Sequence, residues 1–138
     1  MEPPSLYPTD LDLTGRWQVL HRVERSSLSR YVGLEIEFDV VLQQDGSTVT
    51  GSGEKFIVDW QLAGRDEASR LTLEGRVEEA NVVLAITERS PKNAERTIRG
   101  EIIWKALTPD RLIGSFKVDA AESSGSSRAL RREPSVLG

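Results

Sequence analysis

The chain has 138 residues, 38% of them hydrophobic and 29% charged, with a formal net charge of −4 and no cysteine. This is ordinary globular composition for one domain, long enough to bury a core without covalent staples. The acidic balance argues against a nucleic-acid platform, and the lack of cysteine excludes disulfides, thiol catalysis and thiolate-bound zinc.

The N-terminal stretch MEPPSLYPTD carries Pro3, Pro4 and Pro8, which oppose regular pairing, so residues 1–12 read as a tail. It has neither the basic lead nor the apolar centre of a secretory signal. No apolar run approaches the roughly 20 residues of a membrane helix, so a cytoplasmic protein without a membrane span is expected. Residues 13–133 read as the folded domain and 134–138 as a second tail.

Alternation begins at once. Trp17, Val19, His21 and Val23 share one face of a strand, against Arg16, Gln18, Arg22 and Glu24. Residues 24–33 break the pattern and read as a loop. Leu34, Ile36, Phe38, Val40 and Leu42 then form the apolar face of a second strand, with Glu35, Glu37 and Asp39 opposite. QDGS (44–47) is a hairpin signal. The third strand, 48–60, is interrupted by Gly51 and Gly53, a pattern of sharp bending or close packing by a neighbour. A polar loop over 62–70 precedes a fourth strand with Leu71, Leu73, Gly75 and Val77 inward. If Ala80-Asn81 is the next turn, Val77 faces Leu84 and Gly75 faces Ile86 on a fifth strand. SPKNAE (90–95) is a loop, and Ile98, Gly100, Ile102 and Trp104 line a sixth strand. TPDR (108–111) turns the chain into a seventh, with Leu112, Gly114, Phe116 and Val118 inward. AESSGSS (121–127) reads as a connection and SRALRR (127–132) as a short basic eighth strand.

About eight strands, hairpin connections and almost no helical spacing predict an all-β, antiparallel up-and-down meander closed into a barrel. Closure calls for a plug. In TGRWQV (14–19) a glycine precedes a tryptophan at the start of the first strand. Gly15-Arg16-Trp17 resembles the Gly-x-Trp motif of the lipocalin-like (calycin) barrels. That resemblance implies that Trp17 closes the barrel and that an arginine of the last strand, among Arg128, Arg131 and Arg132, packs across it. A cation over an indole contributes about 0.5–2 kcal/mol. Longer stretches, including YVGLEIEFDVVLQQDGSTVTGSGEKF (31–56) and LEGRVEEANVVLAITER (73–89), are similar to uncharacterised bacterial proteins of similar size with no assigned activity. The sequence departs from the secreted lipocalins in lacking cysteine. It departs from the fatty-acid-binding barrels in leaving no room for helices between its first two strands.

Chemistry-bearing residues are sparse. His21 is the only histidine. On an inward face it would serve as a haem ligand or base, or pack as an ordinary buried or rim histidine, and the second reading is preferred. Without partners it makes no metal site. Glu35, Glu37 and Asp39 alternate against an apolar face and read as solvated. GSGEK (51–55) lacks the spacing of a phosphate loop, and SSGSS (123–127) sits in no nucleophile elbow. No catalytic set emerges, and no cofactor is expected. The leading reading is therefore a non-enzymatic barrel holding one small apolar ligand. The competing one is a structural or interaction barrel filled by its own side chains. Candidate cavity residues are His21, Tyr31, Ile36, Phe38, Trp60, Ile86, Ile102, Trp104 and Phe116, with Val19, Val40 and Leu84 on the same faces. Gly15, Trp17, Arg128 and Arg131 are the candidates for closure. The longer loops (24–33, 61–70, 89–96, 119–127) gather at the end away from Trp17, which is where the ligand site is expected. Outward Val41, Val83, Ala85, Ile103 and Ile113 would form a homodimer face if they cluster.

Overall fold

The computed structural model describes residues 11–58, 61–62, 69–89 and 97–132. Its extended segments are β1 (Gly15–Arg25), β2 (Glu35–Asp45), β3 (Thr48–Val58), the two-residue β4 (Gln61–Leu62), β5 (Ser69–Glu78), β6 (Asn81–Arg89), β7 (Thr97–Thr108), β8 (Arg111–Val118) and β9 (Ser123–Arg131). All pairings are antiparallel, in the order β2-β1-β9-β8-β7-β6-β5-β3-β4, and β2 also pairs with β3. The eight long strands thus close into a barrel, which removes the unpaired edges an open sheet would present. Among the described residues the helical elements are two single 3-10 turns, Ser29–Tyr31 and Ala120–Glu122.

Strand alternation decides what the barrel encloses. On β1, Trp17, Val19, His21 and Val23 are buried while Arg16, Arg22 and Glu24 are exposed. The inward rows of the other strands add Phe38, Val40, Leu42, Val49, Leu71, Leu73, Val82, Leu84, Ile86, Ile102, Trp104, Leu112, Phe116 and Ala129. Gly53 lies opposite Val40. A Cβ on Gly53 would clash with the Asp39 carbonyl oxygen and lie 2.6 Å from Val40 Cγ1, so the glycine is there for close approach of the neighbouring strand, backbone first.

One end is plugged. Trp17 is fully buried, and its indole N–H donates to the Leu13 carbonyl at 2.8 Å. The guanidinium of Arg131 lies 4.5 Å from the Trp17 ring centroid. Arg131 also donates to the carbonyls of Thr14 (2.9 Å) and Asp12 (2.7 Å) and to the Asp110 carboxylate (2.8 Å). Gly15 has φ +137°, a conformation side chains rarely adopt, and a Cβ on it would lie 3.1 Å from Arg131 Nη1. Gln44 completes the strap, accepting from the Leu13 N–H and donating to the Leu11 carbonyl, each at 2.9 Å.

Several sequence expectations need correction. Leu11 is buried beside Leu13, so part of the segment read as a tail belongs to the core. The β5–β6 turn is Glu79-Ala80, with Glu79 at φ +56°, and not Ala80-Asn81. Val77 therefore pairs with Val82 and Gly75 with Leu84. The slip is two residues, so every side chain keeps its face. The stretch read as a connection up to 127 is mostly strand, since β9 starts at Ser123. Arg128 pairs with Leu20 and is exposed, as is Arg132, so neither packs on Trp17.

Truncating a buried tryptophan costs about 3–5 kcal/mol. Trp17→Ala is expected to lower the urea midpoint sharply. Arg131→Ala should also destabilise, because it strips donors from three carbonyls (Asp12, Thr14 and Pro109) and the Asp110 carboxylate. Arg128→Ala should stay within about 0.5 kcal/mol of the parent, as exposed substitutions generally do. Equal losses for Arg128→Ala and Arg131→Ala would contradict a plug built on Arg131.

Candidate functional site

The barrel is filled at the Trp17 end and hollow at the other. Trp17, Trp104, Leu42, Leu73, Leu84 and Ile102 are all essentially inaccessible. The Trp104 indole N–H donates to the Ser127 hydroxyl at 2.7 Å, which satisfies a buried polar atom in the middle of this packing. At the far end lies a cavity of about 380 Å³. Its wall is built from His21 and Val23 on β1, Ile36 and Phe38 on β2, Lys55 on β3 and Glu88 on β6. It continues through Ile98 on β7, Phe116 and Val118 on β8, and Ser123 on β9. Tyr31, Leu34 and Ala120 contribute from the connecting segments. A smaller hollow of about 210 Å³ lies beside the outward residues Leu20, Arg22, Glu35, Glu37, Ser126 and Arg128 and also touches His21 and Ile36.

Of the residues predicted to line a cavity, His21, Tyr31, Ile36, Phe38 and Phe116 are brought together in its wall. Ile86, Ile102 and Trp104 sit in the buried core and do not line it. Trp60 lies outside the described residues. Lys55 and Glu88, absent from the prediction, form an ion pair at the cavity, with the carboxylate nearly buried. Their phase along the chain would have revealed them: Glu88 continues the inward row of Leu84 and Ile86, and Lys55 that of Gly51 and Gly53.

Two connecting segments are stitched together at the cavity. The carbonyl of Ala121 accepts from the Ser27 backbone N–H (2.7 Å), the Ser26 hydroxyl (3.1 Å) and the Ser27 hydroxyl (2.9 Å). The Ser123 hydroxyl donates to that of Ser26 at 3.1 Å. These bonds hold Ala121 at φ +51°, a conformation unfavourable for a residue with a Cβ. On the other side, Gly33 N–H donates to the Val23 carbonyl (2.7 Å) and Val23 N–H to the Leu34 carbonyl (2.9 Å). Ser123 and Ser127 are thereby engaged in structural hydrogen bonds.

His21 is the chemical centre of the wall. Its ring stacks on Phe116, with centroids 4.0 Å apart and planes at 7°, and meets Phe38 edge-on at 4.8 Å. It is 2% exposed, and its Nε2 has no hydrogen-bond partner among the described residues. Burial, and secondarily the charge of Lys55, push its pKa down to about 3. The imidazole is therefore neutral across the physiological range and a weak base. Among the described residues no group of three or more His, Cys, Asp or Glu side chains is placed to hold a metal ion.

No protein-family model matches the sequence, and no curated protein matches it. The fold is similar to that of a redesigned β barrel, mFAP1, bound to DFHBI, with a TM-score of 0.64 and 14% identity over 90% of this chain and 97% of that one. It is also similar to that of a de novo designed fluorescence-activating β barrel, with a TM-score of 0.63 and 14% identity over 93% of this chain and 100% of that one. At such identity the likeness is one of fold.

The buried histidine makes stability depend on pH. Its folded pKa is depressed to about 3 from a usual 6.5, so below 6.5 the unfolded chain takes up a proton that the folded one refuses. Stability from this group is full above 6.5 and is lost as pH falls towards 3. Between about pH 7 and pH 5 the loss is on the order of 2 kcal/mol. Urea titrations at the two pH values should show this difference for the parent and a much smaller one for His21→Phe.

Proposed function

We propose that this chain is a non-enzymatic small-molecule-binding barrel that holds one small, mostly apolar ligand in the cavity opposite Trp17. The observation that carries this reading is the division of the interior. Side chains fill one half, while the other keeps about 380 Å³ walled largely by apolar and aromatic residues. That size falls within the range of small-ligand sites. A barrel meant only as a scaffold gains stability by filling such space, since empty apolar volume costs packing energy. The cavity is also braced, by the Ser26, Ser27 and Ala121 hydrogen bonds, which suits a preformed site.

Barrels of similar fold support the reading, because mFAP1 is bound to DFHBI. Gly15-Arg16-Trp17 with Arg131 stacked on the indole supports placing the chain among the lipocalin-like barrels. The lack of a catalytic role rests on how the polar groups are used. Glu88 is committed to Lys55, Ser123 and Ser127 to structural bonds, and His21 is a weak base with no acidic partner among the described residues.

An uncharged, polarity-sensitive fluorophore such as Prodan is expected to bind the native protein at one site with a blue-shifted, enhanced emission. Val118→Trp places a large ring in the cavity wall and should weaken binding at least tenfold while the circular dichroism spectrum stays unchanged. Trp104→Ala, in the packed half, should act mainly on stability. Undiminished binding by a folded Val118→Trp variant would refute the location.

A further inference from the structure

We infer that the cavity selects an uncharged, mostly apolar molecule bearing a hydroxyl group, which pairs with Nε2 of His21. This rests on the reading of the cavity as a ligand site and specifies its chemistry. The polar atom comes first. His21 is 2% exposed and part of the cavity wall, yet its Nε2 has no hydrogen-bond partner among the described residues. A buried polar atom without a partner costs free energy, and native interiors rarely leave one so. The aromatic packing on Phe116 and Phe38 fixes the ring, so Nε2 cannot swing out to find one. A hydroxyl both donates and accepts, so it satisfies Nε2 in either neutral tautomer.

The charge pattern then excludes ionic ligands. The titratable groups that line the cavity, among the described residues, are His21, Tyr31, Lys55 and Glu88. Lys55 and Glu88 are paired with each other, so neither sign of charge is in excess. A carboxylate drawn to Lys55 would have to approach Glu88, and an ammonium drawn to Glu88 would have to approach Lys55. Either ion would leave water without gaining a free counter-charge. Elsewhere in the wall, Val23, Ile36, Phe38, Phe116 and Val118 offer apolar contact only, and the Ser123 hydroxyl is already bonded to Ser26.

Three molecules of one shape test this on the full chain at neutral pH: 2-naphthol, 2-methylnaphthalene and 2-naphthoate, followed by titration calorimetry. 2-Naphthol is expected to bind at least tenfold more tightly than either of the others. His21→Phe keeps an aromatic ring in place and removes Nε2. It should bring 2-naphthol down to the level of 2-methylnaphthalene while binding of the latter changes by less than about twofold. Should this variant fail to fold, the parent protein still decides. Its single histidine gives one unambiguous set of imidazole ¹⁵N resonances, and 2-naphthol should shift the Nε2 signal where 2-methylnaphthalene does not. Equal binding of all three molecules, tightest binding of 2-naphthoate, a preference that survives His21→Phe, or an unmoved Nε2 signal would overturn the inference while leaving the cavity a ligand site. Failure of all three to bind would remove the ligand site as well.

Discussion

A sheet of eight long strands closes only if its first and last strands meet in one register, and here that register is set where the Arg131 guanidinium lies on the Trp17 indole. The two residues are direct partners across the β1–β9 seam. The contact joins three parts of the chain. Arg131 reaches the carbonyls of Asp12 and Thr14 before β1 and the carboxylate of Asp110 in the β7–β8 turn. Gly15 permits this because no side chain intervenes between strand and guanidinium. A planar cation suits the task, since its face covers the ring while its edge donates several hydrogen bonds. With this end sealed, any interior space is confined to the other.

The interior is then divided by chemistry as much as by volume. Towards Trp17 the rows are mostly aliphatic or indole, and both indoles are satisfied, Trp17 by the Leu13 carbonyl and Trp104 by the Ser127 hydroxyl. Towards the far end the same rows turn polar by degrees: His21 after Val19, Glu88 after Ile86, Lys55 after Gly53. Each lies on a strand whose earlier inward residues are apolar or glycine. The gradient sets the solid packing around Trp17 and Trp104 apart from the half that faces the cavity, with Val23, Phe38 and Phe116 belonging to both core and wall.

Much of this is legible in the sequence because period-two alternation records which face is buried. The strands, their order and the plug follow from Trp17, Phe38, Leu84, Ile102 and Phe116 and from the turn signals between them. Alternation is indifferent to a slip of two residues, which is why it misplaces the β5–β6 turn without reversing any face. The choice among the arginines fails for a definite reason. In SRALRR the most hydrophobic residue is Leu130, and putting it inward would bring Arg128 and Arg132 with it. The structure buries Ala129 and leaves Leu130 36% exposed, so Arg131 turns in. Ala129 pairs with Val19 and Leu112 in the packed half of the barrel, and hydropathy does not register that position's small size. The serines of 123–127 resemble a linker because composition alone says nothing of a strand held mainly by its backbone partners. The Lys55–Glu88 pair escapes a hydropathy reading because charged residues ordinarily point outward.

The seam between β1 and β9 has a kinetic side. Arg131 and Asp12 are 119 positions apart, and the barrel cannot close until both ends of this span exist. Neighbouring hairpins such as β5–β6 or β7–β8 form from local contacts, but the seam is formed by the most distant ones, and loop closure over such separations is slow. During synthesis β1 and β8 therefore each present an unpaired edge until β9 has emerged. Strand edges exposed in this way are templates for association between chains. On its outer side β1 meets this interval with three exposed charged residues, Arg16, Arg22 and Glu24, whose hydration discourages such pairing. Charges that on the finished surface do no more than pair across strands, as Arg16 does with Asp39, guard the chain while it is still open.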